Sequence, residues 1–164
     1  MSAQDQPQQQ QQDEEEETYE AGCHCGYIKF AVTLSPPLSQ GHKVMECNCS
    51  MCRRAGYLLV YPPKAKVTWH NSSRERCATY QFNTKQKDQL FCGKCGASIG
   101  IDFRHVLTPE QYGISVRTFN NIDLTKLTYR KGNGVEKVPP NEDLSGTQWE
   151  IDEAERQKEA EGKL

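Results

Sequence analysis

The sequence predicts a mainly β domain of short strands and loops organised around metal-binding cysteines. Three observations lead there. Short runs of alternating or β-branched residues recur from about Tyr19 to Tyr129, separated by Gly, Pro and Asn. That stretch carries no apolar stripe at the 3.6-residue helical period. Seven of the eight cysteines fall into three tight clusters, at 23–25, 47–52 and 92–95.

Taken in order, residues 1–18 hold a Gln tract, Gln8 to Gln12, and then the acidic run Asp13 to Glu17. With no apolar surface to bury, they are expected to be a disordered tail. Residues 19–131 form the expected zinc-binding domain. In it Ile28, Phe30, Val32 and Leu34 alternate with Lys29, Ala31 and Thr33, the pattern of a half-buried strand. The run Tyr57 to Tyr61 is of β type and is stopped by Pro62-Pro63. Val67–Trp69, Ala78–Phe82, Ser98–Phe103 and Ile114–Val116 read as further strands. Residues 132–164 are a turn-rich segment (Gly132-Asn133-Gly134, Pro139-Pro140-Asn141) and a charged tail. Within that tail, Trp149 to Lys158 can form a short helix without a wide apolar face.

The formal charge of −2 conceals an uneven distribution. Residues 1–20 hold seven acids and no base, and residues 141–164 hold eight acids against three bases. The middle, with 17 bases against seven acids, stands at +10. Mean hydropathy is −0.82, and no run approaches the ~18–20 apolar residues of a membrane helix. The first residues, Met1 to Pro7, lack a basic and an apolar region, which predicts no secretory signal. A cytoplasmic location follows, the nucleus being the second compartment that fits. In a reducing compartment clustered cysteines point to metal or thiol chemistry rather than disulfides.

In the third cluster, Phe91-Cys92-Gly93-Lys94-Cys95-Gly96, two thiolates three residues apart can chelate one ion while the glycines permit a tight turn. Gly22-Cys23-His24-Cys25-Gly26 and Cys47-Asn48-Cys49-Ser50-Met51-Cys52 are tighter still. An all-thiolate donor set favours zinc, with an iron–sulfur cluster as the competitor. A closed zinc site takes four ligands, which leaves three of the seven clustered thiols, the number found at a zinc with an open position. The spacing does not say which pairs combine. Cys77 would complete two closed sites, but no ligand lies near it in sequence, so it reads as a packed or free thiol. His24, His42, His70 and His105 are each isolated and take no catalytic role.

The order G-x-C-x-C-G, then C-x-C-x-x-C followed by basic residues, then F-C-x-x-C-G resembles the glutathione-dependent formaldehyde-activating enzymes and their eukaryotic relative, centromere protein V, from about Glu20 to Tyr129. The resemblance implies an Mss4-like fold of short coiled antiparallel sheets. It implies a structural zinc on Cys23, Cys25, Cys92 and Cys95 and a second, reactive zinc on Cys47, Cys49 and Cys52, two ions per chain. It further implies a carbon–sulfur lyase of the S-(hydroxymethyl)glutathione synthase type, with glutathione as co-substrate and formaldehyde or a similar small aldehyde as partner. Enzymatic members commonly carry His where this chain has Asn48, an amide that cannot shuttle a proton at neutral pH. Glutathione has two carboxylates and an ammonium, so Arg53 and Arg54, directly after Cys52, are the candidate carboxylate contacts. Tyr57, Tyr61, Phe103 and Arg104 read first as strand or core residues. The alternative is a non-catalytic, zinc-stabilised interaction module resembling centromere protein V, with the basic middle binding nucleic acid or acidic protein surfaces. Nucleic acid is disfavoured by the absence of any helix-turn-helix, RNP or aromatic–basic stacking motif.

Overall fold

Described here in a computed structural model are residues 15–137 and 148–162. The Gln tract and most of the turn-rich linker lie outside the described residues. The strands and helices follow in chain order as β1 (Glu17–Gly22), β2 (Lys29–Leu34), β3 (Lys43–Cys47), α1 (Ser50–Ala55), β4 (Leu59–Val60), β5 (Val67–Trp69), α2 (Ser73–Arg76), β6 (Cys77–Tyr80), β7 (Asp88–Cys92), β8 (Ser98–Asp102), β9 (Tyr112–Ser115), β10 (Thr128–Gly132), α3 (Gly134–Lys137) and α4 (Gln148–Glu161). The fold is mainly β, as the short alternating runs predict.

The described residues form two sheets. One has the order β1-β2-β5, all antiparallel. The other has the order β10-β3-β4-β9-β8-β7-β6, antiparallel except for the parallel pair β10/β3. Alternation in β2 turns Phe30, Val32 and Leu34 into a core shared with Val44, Val60, Leu90, Ile99 and Ile114 of the second sheet. Phe30, Val32, Ile99 and Ile114 are fully buried, and each such side chain contributes about 1.5–3 kcal/mol on leaving water. The rings join the layers as well: Trp69 on β5 lies 4.8 Å from Phe30 and meets Tyr112 of β9 edge-on at 5.6 Å. Asp102, at the end of β8, is buried between Lys64 and Arg74, each 2.9 Å away.

Several elements differ from expectation. β1 starts at Glu17, inside the segment assigned to the acidic tail. Thr18 shares a hydrogen bond with Thr33 at 2.8 Å, Tyr19 is buried, and Glu16 pairs with Lys66 at 2.7 Å, so the last acids of the run find partners on the sheet. The run Tyr57–Tyr61 yields only Leu59–Val60 as strand, because the Tyr57 N–H closes α1 on the Cys52 carbonyl (3.0 Å). Helix α1 itself is six residues long, too short for a period to show in sequence. The charged helix is present as α4, largely exposed, with the Arg156 guanidinium 5.0 Å from the Trp149 ring. Among the described residues no helix is long and apolar enough to cross a membrane.

Candidate metal centres and the adjoining cleft

The first cysteine cluster sits on the turn between β1 and β2, the third on the turn between β7 and β8. In each a glycine in the left-handed region reverses the chain after the second cysteine: Gly26 at φ 75° and Gly96 at φ 74°. The turns close through Gly26 N–H to the Cys23 carbonyl (3.2 Å) and Gly96 N–H to the Cys92 carbonyl (2.8 Å). As a result Cys23, Cys25, Cys92 and Cys95 bring their four sulfurs within 4.8 Å of one another. Cys25 Sγ lies 3.6 Å from Cys23 Sγ and 3.7 Å from Cys92 Sγ. Four sulfurs about 2.3 Å from a tetrahedral ion would stand about 3.8 Å apart, so the thiols already have the spacing of a metal cage. The Ile28 N–H points at Cys23 Sγ (3.2 Å), and the Ala97 N–H leads the influences that push Cys95 down to about 6; both favour thiolates.

The middle cluster is local. Cys47 ends β3, Cys49 caps α1, and Cys52 lies in its first turn; their sulfurs also lie within 4.8 Å of one another. The cap is made by sulfur: Cys49 Sγ accepts the Cys52 N–H at 3.4 Å. Cys49 is pushed down to about 5, first by the hydrogen bond from the Cys52 thiol, whereas that same bond and burial push Cys52 up. A layer of Tyr57, Leu59, Ile101, Tyr61 and Phe103 underlies the cluster. Tyr57 is buried, with its hydroxyl donating to the Gly100 carbonyl at 3.0 Å. The two groups of thiols could each hold a metal ion, and seven soft donors with no carboxylate or imidazole among them fit zinc chemistry.

Beside the three thiols opens a cleft of about 470 Å³. Cys47 and Cys52 reach it, and Arg53, Arg117 and Lys131 line it. Arg53 is exposed at the cleft, whereas the neighbouring Arg54 folds its Nη1 back onto the Ser50 carbonyl (3.2 Å) and is not among the lining residues. Arg117 donates from Nε to the Gly56 carbonyl at 2.8 Å, and Lys131 pairs with Glu46 across the β3/β10 register. Sequence reasoning missed both cations. Arg117 follows a core run that signals only a strand, and Lys131 reaches the site through a parallel pairing that no local pattern announces. A second cleft of about 470 Å³ touches the four-thiol group at Cys23 and His24, and Arg117 forms part of its wall too.

The other candidates fall elsewhere. Arg104 sits on a loop at φ 52°, its N–H held by Asp102 Oδ1 at 2.7 Å. Cys77 pairs with Cys92 in the β6/β7 register but stays outside both sulfur groups; burial pushes its thiol up to about 11, and it donates to the Ser73 carbonyl at 3.5 Å. His42 hydrogen-bonds the Pro36 carbonyl, and His70 and His105 pair with Glu20 and Glu110. Asn48, exposed, uses both ends of its amide: its Nδ2 donates to Asn133 Oδ1 (2.9 Å) and its Oδ1 accepts the Val135 N–H (3.0 Å).

Comparison with known proteins bears on the same residues. The sequence model of a family described as glutathione-dependent formaldehyde-activating enzyme matches residues 18–131. The crystal structure of a Rhodobacter sphaeroides protein is similar at 25% identity, over 68% of this chain and 99% of that one, with a TM-score of 0.55.

Proposed function

The chain belongs to the glutathione-dependent formaldehyde-activating enzyme family, and from that premise we propose that it joins glutathione and formaldehyde into S-(hydroxymethyl)glutathione and releases them in reverse, as a carbon–sulfur lyase. The observation that carries this reading is the inequality of the two sulfur groups. One has four thiols and the other has three beside a cleft whose wall carries three cations and one carboxylate, Glu46. In the proposed assignment Cys23, Cys25, Cys92 and Cys95 hold a structural zinc, and Cys47, Cys49 and Cys52 hold a second one with a position left for substrate. Bound there, zinc would lower the proton affinity of an incoming thiol and hold it close to a small aldehyde.

The chain's own residues do the rest. Arg53 and Arg117, with Lys131 paired to Glu46 on the same wall, give the cleft side chains a net positive charge for a tripeptide thiol with two carboxylates. Tyr57 and the apolar layer beneath the thiols keep water from the back of the cluster. In the reaction, sulfur attacks the carbonyl carbon, a C–S bond forms, and the proton lost by the thiol ends on the carbonyl oxygen. Much of the acceleration would come from holding the two reactants together. NMR exchange spectroscopy of glutathione with formaldehyde tests this. Faster exchange with substoichiometric protein is expected, and an unchanged rate at high protein concentration overturns it. Zinc content and glutathione binding on the same sample test the metal assignment.

A further inference from the structure

The segment after β10 returns to the middle cysteines, and the contacts are specific. The Asn48 N–H donates to the Gly132 carbonyl (3.1 Å), which brings the chain alongside Cys47. Asn48 then grips the next three residues with both ends of its amide, through Asn133 Oδ1 and the Val135 N–H. Between those two grips lies Gly134, buried, with bare backbone facing sulfur. A Cβ at 134 would stand 2.5 Å from Cys47 Sγ and 2.9 Å from Cys49 Cβ, closer than any real packing. Asn133, Val135, Glu136 and Lys137 are exposed on the outside of this turn.

From these contacts we infer that residues 133–137 cap the three-thiol cluster, latched by Asn48 and fitted to Cys47 by the missing side chain of Gly134. The cap walls the Cys47/Cys49 side of the cluster, so that thiol ligands and metal exchange only through the cleft lined by Arg53, Arg117 and Lys131. Asn48 and Gly134 are positioning residues. An amide suits the latch because a donor and an acceptor are needed about 2 Å apart on one short side chain, which neither a carboxylate nor an alkyl group supplies. The working unit thus extends to Lys137 rather than ending with the sheet. The inference concerns access to the cluster and rests on the proposed metal only for one of its readouts.

Hydrogen exchange at Val135, transfer of metal from the full-length protein to a chelator, and alkylation of Cys47 by iodoacetamide test it together. Asn48→Ala should unprotect Val135 and speed loss of one metal equivalent about tenfold, the weight of two neutral hydrogen bonds. Asn133→Ala, which removes one of the two bonds and leaves the ligand strand untouched, should give a smaller shift in the same direction. Gly134→Ala should lose one metal equivalent while the protein stays folded. If the wild-type chain retains no second metal, the proposed function fails, and the cap is then read from Cys47 alkylation alone, expected to rise in Asn48→Ala and Asn133→Ala. Loss of Val135 protection with metal transfer and Cys47 alkylation both unchanged overturns the cap, as does a Gly134→Ala protein with wild-type metal content and wild-type alkylation.

Discussion

The two sulfur groups use the same donor and differ in how far the chain travels to assemble them. Cys25 and Cys92 meet across 67 residues and join a hairpin of the small sheet to a hairpin of the large one. Cys49 and Cys52 meet across three residues on one helix end. The closure entropy of a loop grows with the logarithm of its length, so the long connection costs about 2–3 kcal/mol more to close than the short one. A metal on the four-thiol group would offset that cost and stabilise the whole fold. A metal on the middle group has little to close. In the proposed assignment, the position of an ion in the topology would therefore separate a fastening role from a chemical one, even with identical ligand atoms.

The sharpest way to break this contrast is Cys92→Ser. Cys92 is fully buried at the end of β7, and its loss should abolish the cooperative thermal transition followed by circular dichroism, as removal of a structural zinc does in small metal-dependent folds. A melt close to wild type would show that the fold does not lean on this group. Cys49→Ser should do the opposite: catalysed glutathione–formaldehyde exchange is lost and metal content falls by one equivalent, while the melting temperature moves by only a few degrees, on the order expected for about 1 kcal/mol. If both variants unfold, the comparison collapses.

A stability source outside both groups sharpens it further. Burial alone would raise the Asp102 pKa, but the hydrogen bonds from Arg74 and Lys64 hold its carboxyl below the usual range. A depressed carboxylate contributes stability that is complete above its unfolded value of about 3.9 and is lost as pH falls through the folded value. Asp102→Asn should therefore cost about 1–3 kcal/mol at neutral pH in urea melts and flatten the stability change below pH ~4. An Asn variant that keeps the full acid dependence would remove Asp102 from the account. At the cleft, Arg117→Gln should weaken glutathione binding about tenfold in calorimetry while leaving uncharged thiols unaffected. The smallest effect is expected for Arg54→Ala, under about twofold, because that side chain is turned toward Ser50. Equal effects of the two arginine variants would mean the substrate lies over α1 and not in the cleft.

What could be read in advance was whatever is local. The strand through Ile28 to Leu34 announces itself by alternation, and the juxtaposition of thiols within each cluster follows from C-x-C and C-x-x-C spacing. That the first and third clusters meet is a tertiary fact. The resemblance implies it and the spacing does not, and the structure places those four sulfurs together. Helix α1 was invisible because it has six residues and takes its cap from a cysteine sulfur instead of Ser, Thr, Asp or Asn at the cap position. Arg117, Lys131 and Gly134 were missed for one reason. Their place at the middle cluster depends on pairing between segments about 60–90 residues apart, and neither an isolated cation nor a glycine in a turn-rich stretch signals such a partner.

The parallel pairing of β3 with β10 delivers Cys47 and Gly132 to the same end of the sheet, side by side in register. Anyone shortening this protein for expression or crystallisation would be tempted to trim it where the strands stop. A cut there would keep the β3/β10 pairing but remove Gly134, whose backbone packs against Cys47 and Cys49. A chain that runs through Lys137 keeps Gly134 seated against Cys47.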